Sequence, residues 1–216
     1  LLGFRGEGLA SSPFLVSALN GDLVAPYPEN ESEISLDLMA VYQRQNSTTA
    51  EGSLGWNMIK YASRAINNAN MVIDALENGS LDDDPDYLYY QERMRGEAYL
   101  FRSLANFEIT KMIAKQHNSA TSSSDLAGYY PTKPVFDKTD YPAERVTVER
   151  AYQLMLEDAQ KAIELLPERY DLAYEEYGES FVYQSLFYWN CRRFNADVAR
   201  ALKAKLYFQM NDFTNA

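Results

Sequence analysis

Residues 94–110, MRGEAYLFRSLANFEIT, are the stretch that decides the fold. Small residues allow the backbone of a neighbouring helix to approach closely, and bulky residues fill the space between helices. Gly96 costs a helix about 1 kcal/mol relative to alanine, so we expect a packing reason for its presence. The stretch predicts the buried inner helix of an all-α stack. At helical spacing its buried stripe comprises Met94, Ala98, Phe101, Leu104, Ala105 and Glu108.

Three further segments have the period of amphipathic helices. Apolar residues recur at steps of three and four from Trp56 to Leu76. Thr147 is a capping residue before the next such segment, and Pro167 ends it. Residues 116–146 contain SSS and GYYPTKP without a helical period, which indicates a long loop. The predicted helices cover residues 54–78, 84–115, 147–166 and 195–210.

The order of these helices matches tetratricopeptide repeats, in which helix pairs stack because no pair can bury its apolar face alone. The end of the chain carries the pattern of small residue, tyrosine, tight turn and aromatic residue. Its members are Ala204, Tyr207, Asn211, Asp212, Phe213 and Ala216. The sequence thus predicts an all-α, tetratricopeptide-like α-α superhelix with long loop insertions.

Composition excludes several classes of function. The chain has 216 residues and a net charge of −11, which argues against binding nucleic acid or anionic lipid through bulk electrostatics. A single cysteine, Cys191, excludes an internal disulfide and a multi-cysteine metal site. No apolar run is long enough to cross a bilayer, and the first residues, LLGFRGEGLASSPFLVSAL, lack the charged start, continuous apolar core and cleavage site of a signal peptide. We expect that any targeting segment was removed or never present.

Enzyme signatures are absent from the sequence, so we expect neither catalytic residues nor a cofactor. The one histidine, His117, lies in the polar stretch KQHNSATSSS, which favours a solvated loop position over a catalytic base. The acids of residues 82–86 are an alternative calcium site. Helix capping and a solvated face explain them better, since their spacing is not that of a calcium-binding loop, and we predict no metal site.

Four segments in combination carry a family resemblance. They are WNMIKYASRAINNANMVIDAL (56–76), RGEAYLFRSLANFEI (95–109), RVTVERAYQLMLEDAQKAIELLPE (145–168) and ARALKAKLYFQMNDFTNA (199–216). Together they resemble the SusD/RagB group of nutrient-binding outer-membrane lipoproteins. Asn211 replaces the usual glycine, and the lipidated N-terminal cysteine is not present. Because members are considerably longer, we expect residues 1–216 to be a single SusD-like helical domain of an incomplete chain.

The resemblance implies a function. Members bind an oligosaccharide, with a peptide as the second choice, at the surface of the outer membrane without catalysis. They pass the ligand to a SusC-like TonB-dependent transporter and are held by a lipid anchor, which this sequence does not contain. A different reading remains open, in which a tetratricopeptide adaptor binds a protein or peptide partner in its groove.

The resemblance also places the ligand site at the junction between residues 44–55 and the first strong helix. Trp56, Arg44, Asn46 and Asn57 would combine an aromatic face for a sugar ring with amides and a charge for its hydroxyls. Core packing of the tryptophan is the alternative, and the tyrosine-rich residues 168–190 are a second aromatic platform.

Polar residues opposite the apolar stripes predict a surface for the transporter. Lys161 and Lys203 are the residues that we predict to contact it, with solvated helix faces as the alternative. Arg93, Arg150 and Glu157 are expected on the same polar surface.

Overall fold

The computed structural model describes residues 43, 51, 53–78, 85–169 and 193–216. Four α-helices account for most of these residues, and the only β-type pairing among them is an isolated bridge between Leu126 and Thr147. The predicted all-α class is therefore confirmed, and each helix begins and ends within two residues of its predicted bounds. The helices are α1 (Leu54–Asn78), α2 (Pro85–Ile113), α3 (Val148–Leu165) and α4 (Ala196–Gln209), with a 3-10 helix at Lys138–Asp140.

Local residues explain where α3 and α4 begin and where α4 ends. The Thr147 hydroxyl accepts a hydrogen bond from the N–H of Arg150 at 3.2 Å, and the Asn195 amide oxygen accepts one from Val198 at 3.1 Å. Asn211 has a φ of 60°, a left-handed conformation that asparagine adopts more readily than most residues. Asparagine in place of glycine thus preserves the tight turn after α4.

The helices pack in chain order, α1 on α2, α2 on α3 and α3 on α4, as a tetratricopeptide-like stack does. Leu100 and Phe107 of α2 are fully buried in the main core. A Cβ atom at Gly96 would come within 2.9 Å of Leu166 Cγ and 3.0 Å of Leu165 Cβ. The packing reason predicted for this glycine is confirmed: it permits close approach of the end of α3.

The single buried stripe predicted for α2 is wrong in detail. Met94 is 38% exposed and Phe101 is only partly buried, whereas the polar Ser103 and Asn106 are buried. Since both α1 and α3 pack on α2, the helix is enclosed over more than one stripe. A central helix of a stack does not follow the pattern of a surface helix.

Two polar residues lie deeper than the sequence predicts. His117 is buried against the ring of Tyr152, with centroids 5.3 Å apart, because the following turn folds back onto the start of α3. There the N–H of Glu149 donates to the carbonyl of Ser122 at 2.9 Å. Arg93 is also buried, with its guanidinium 5.1 Å from the ring of Tyr90. The predictions of a solvated histidine and of an outward Arg93 are therefore wrong.

Candidate ligand-binding site

Trp56 and Asn57 lie in the first turn of α1, at the junction where the sequence predicts the ligand site. The N–H of Trp56 donates to the Ser53 hydroxyl at 3.3 Å, and that of Asn57 donates to the Ser53 carbonyl at 2.9 Å. The tryptophan is half-buried, and Lys60 Nζ lies 4.7 Å from its ring centroid. Arg44 and Asn46 lie outside the described residues, so the four-residue site stays a prediction.

A buried polar network lies further along the stack. Arg102 of α2 donates through Nε and Nη2 to both carboxylate oxygens of Asp158 on α3, each at 2.7 Å. Its Nη1 donates to Asn70 Oδ1 on α1 at 2.9 Å and to the carbonyl of Thr132 at 3.3 Å. The Tyr130 hydroxyl donates to Asp158 at 3.0 Å. Three helices and one loop are thus joined at one guanidinium.

The electrostatics of the network keep Arg102 charged and Tyr130 neutral, the states in which both donate their hydrogen bonds. Burial lowers the pKa of Arg102, but the hydrogen bonds and charge of Asp158 outweigh it, and the net pKa lies above the ordinary value. Burial, followed by the Asp158 charge, raises the pKa of Tyr130 well above its usual range. A buried, fully paired cluster of this kind fixes structure and is closed to a substrate.

The network is built from three of the sequence motifs. Asn70 belongs to residues 56–76, Arg102 to residues 95–109 and Asp158 to residues 145–168. The motif segments therefore meet in space through their polar members. Their role is to hold the helices in register.

The network also positions a loop, residues 130–135, which we call the strap. Asn70 Nδ2 donates to the carbonyls of Pro131 and Lys133 at 3.0 and 2.9 Å. Asn67 Nδ2 donates to the carbonyl of Val135 at 3.0 Å, and the Val135 N–H donates back to Asn67 Oδ1 at 2.7 Å. Two amides one helical turn apart thus hold the strap along α1.

A pocket of about 380 Å³, which we call the strap pocket, lies between α1, the end of α2 and the loop that contains the strap. Its volume falls within the range of small-molecule sites. Tyr129 and Tyr141 are 48% and 44% exposed, and their rings meet edge to face with centroids 6.2 Å apart. The described lining residues are Ile59, Ser63, Arg64, Ile66, Asn67, Asn68, Ile109, Ile113, Gly128, Tyr129, Pro131, Val135, Tyr141 and Arg145.

Sequence reasoning did not identify the strap pocket. The available signals were the tyrosines of GYYPTKP and the asparagines at positions 67 and 70 of an otherwise apolar helix face. Neither signal indicates its partner, because the strap bonds join residues separated by 61 to 68 positions.

The two lysines predicted to contact a transporter lie on the α3 and α4 side of the stack. Lys161 Nζ is 4.6 Å from the ring of Tyr99 and donates to its hydroxyl at 3.4 Å, and that hydroxyl donates to Glu77. Burial, then the bond to Glu77, raise the pKa of Tyr99 to about 12. Lys203 Nζ donates to the side-chain oxygen of Gln160 at 2.8 Å. Their role at a partner surface stays a prediction.

Other expected features fall wholly or partly outside the described residues. Residues 82–84 and 170–192, which include most of the acidic cluster and of the tyrosine-rich segment, are among them. Within the described ranges, no group of three histidine, cysteine or acidic side chains is placed to hold a metal ion. None of the helices described is both long enough and apolar enough to span a membrane.

The motif helices and their shared polar network define a tetratricopeptide-like helical stack, and sequence comparison identifies its family. Residues 21–189 match the profile of a SusD-like family described as starch-binding and associating with the outer membrane. The match covers most of the chain, which therefore belongs to this family, and the resemblance in the motifs is confirmed. No curated protein matches the chain.

Solved structures share the fold at low sequence identity. A SusD-like carbohydrate binding protein from Bacteroides vulgatus aligns with a TM-score of 0.67 at 12% identity, over 99% of this chain and 40% of its own. A SusD superfamily protein from Bacteroides thetaiotaomicron aligns with a TM-score of 0.60 at 18% identity, over 88% of this chain and 35% of its own. A laminarin binding SusD-like protein aligns with a TM-score of 0.61 at 16% identity, over 94% of this chain and 37% of its own. The chain thus spans well under half the length of these structures.

Proposed function

We propose that the protein binds an oligosaccharide at the cell surface, without catalysis, and delivers it to a SusC-like TonB-dependent transporter. The match of residues 21–189 to a family described as starch-binding and outer-membrane-associated carries this proposal. Two of the similar structures have names that state carbohydrate or laminarin binding. Attachment to the outer membrane through a lipid anchor belongs to the same proposal, as does the single-domain character of residues 1–216.

The chemistry at the start of α1 supports a sugar ligand. An indole ring offers a flat apolar face that a sugar ring can cover with its C–H groups. Asn57, together with Arg44 and Asn46, would donate to and accept from the sugar hydroxyls. The ring of Trp56 is only half-buried in the described structure. Binding of this kind requires no group with an unusual pKa.

Two titratable groups, Asp158 and His117, lie where they cannot act on a bound glycan, in keeping with binding without catalysis. Asp158 is buried and paired with Arg102, and His117 is enclosed against Tyr152. A general base has to reach the substrate within hydrogen-bond distance, which neither of these groups does from the core.

The test is Trp56→Ala in the full-length protein, with titration calorimetry against laminarin and malto-oligosaccharides. We expect a loss of affinity of about tenfold, since removing an aromatic platform costs on the order of 1 to 2 kcal/mol. Phe136→Ala is the matched control, because Phe136 is 79% exposed and does not line the strap pocket. Equal effects of the two substitutions would contradict the proposed site.

Two other outcomes separate the alternatives. If Trp56→Ala lowers the melting temperature sharply, the tryptophan is a core residue and the site lies elsewhere. If the wild-type protein binds peptides and no glycan, the tetratricopeptide adaptor is the correct function.

A further inference from the structure

We propose that the strap pocket is a second carbohydrate subsite, selective for a sugar residue that carries a carboxylate, such as a hexuronate. The inference rests on the proposed glycan-binding function and names the class of glycan. It concerns a site distinct from the Trp56 junction, built from the α1 residues around Arg64 and from the loop on both sides of the strap.

The charge of the lining carries the argument. The chain has 31 acidic and 20 basic residues, yet the described residues that line the strap pocket include Arg64 and Arg145 and no acid. A protein with a net charge of −11 repels an anion at long range, so an anionic ligand requires a local positive site. A neutral sugar has no such requirement. The pocket is complementary to a negative charge.

The two arginines differ in how firmly they are held. Arg145 donates through Nε to the carbonyl of Ala127 at 2.6 Å and through Nη2 to that of Leu126 at 3.5 Å. Its Nη1 has no partner among the described residues. The Arg64 guanidinium lies 5.9 Å from the ring of Tyr61, and the described part of the chain gives it no carboxylate. One anchored and one adjustable guanidinium provide N–H donors suited to a carboxylate.

The remaining lining suits the sugar ring that would bear this carboxylate. Tyr129 and Tyr141 present rings that are nearly half exposed. Ser63 and Asn68 add a hydroxyl and an amide at the α1 wall, which can bond to sugar hydroxyls. Four isoleucines supply the apolar surface for the C–H face, namely Ile59, Ile66, Ile109 and Ile113. A pocket of about 380 Å³ at the small end of the ligand range fits a single residue of a chain.

The experiment compares oligomers of galacturonate, glucuronate and mannuronate with their methyl esters, by titration calorimetry on the full-length protein. The ester keeps the sugar and removes the charge. We expect one acid to bind at least about tenfold more tightly than its ester at low salt, since hydrogen bonds to a charged group contribute about 1.5–3 kcal/mol. The difference should shrink as salt is added.

Variants assign the effect to the pocket. Arg64→Gln should weaken the acid about tenfold and leave the ester unchanged, whereas Tyr129→Ala should weaken both. Arg150→Gln is the matched charge control, because Arg150 is exposed on α3, pairs with Glu157 at 2.9 Å and does not line the pocket. Melting temperatures confirm that each variant is folded.

The outcomes separate this inference from the proposed function. If every acid and its ester bind equally, or if Arg64→Gln and Arg150→Gln have the same effect, the acidic subsite is wrong. If neutral glycans still bind through Trp56 in that case, the proposed function is retained. If no glycan of either kind binds, both proposals fail together.

Discussion

At the scale of the residue, His117 couples stability to pH. It is the only histidine of the chain, and its Nδ1 is buried without a hydrogen-bond partner among the described residues. Burial lowers its pKa below the ordinary 6.5, and the nearby charge of Glu149 offsets part of that shift. As the pH falls through about 6.5, the unfolded chain takes up a proton that the folded protein does not. The contribution of neutral His117 to folding stability is therefore present at neutral pH and is lost on acidification.

We predict that His117→Leu flattens this dependence. Urea unfolding between about pH 7.5 and pH 5 should show a smaller loss of free energy of unfolding in the variant than in the wild type. Carboxylates contribute to both proteins equally, so the difference between the two curves reports His117. Parallel curves over this window would show that the histidine titrates normally in the folded state.

Residues differ in how far their environment follows from the sequence. Gly96 was predictable because a glycine inside a strong helix has a known cost and therefore indicates a close contact. The burial of His117 was not predictable, because the polar residues next to it in the sequence do not reveal that the following turn folds back onto another helix. The spacing of a single segment contains no information about the segment that covers it.

At the scale of the element, the strap depends on two asparagines. We predict that Asn67→Ala loosens the strap, because it leaves the N–H and carbonyl of Val135 without their partner. The expected cost is about 1–3 kcal/mol, with faster hydrogen exchange at the Val135 amide. Asn68→Ala is the control, since Asn68 is an exposed neighbour on the same helix. Unchanged exchange at Val135 would mean that the strap is held by other contacts.

The helices and the long loop of residues 116–146 were predictable to different degrees. Helical periodicity and caps are local, so the bounds of α1 to α4 followed from neighbouring residues. The path of residues 116–146 depends on bonds to distant helices, and the sequence therefore indicated only its lack of a helical period. The strap pocket was missed for the same reason, whereas the Trp56 junction came from the family resemblance alone.

At the scale of the whole molecule, the ligand and transporter surfaces are predicted to be separable. Lys161→Glu and Lys203→Glu should weaken co-purification with the transporter, since reversing a charge at the rim of an interface opposes association. Glycan affinity should stay within about twofold, because neither lysine belongs to the predicted ligand site. Lys138→Glu is the control, with the same charge change in the exposed 3-10 helix.

The design has to allow for the contacts that both lysines make in their own chain. Lys161 lies on Tyr99 and Lys203 bonds to Gln160, so reversal of either charge also perturbs helix packing. Lys161→Met and Lys203→Met separate the two effects by retaining the bulk of the stem. If the methionine variants lose glycan affinity along with the transporter, the two surfaces are not independent.

The strap has a consequence for the order in which the protein folds. Contacts between α1, α2, α3 and α4 follow the chain, and topologies of this kind form quickly. The strap bonds close loops of more than sixty residues, and the entropy of closing such loops must be lost before the bonds form. We therefore predict that the amides of Asn67 and Asn70 engage after the transition state, so that their removal accelerates unfolding and leaves the folding rate unchanged. Stopped-flow measurement of both rates checks this: these two side chains should extend the lifetime of the folded protein without changing the speed of its formation.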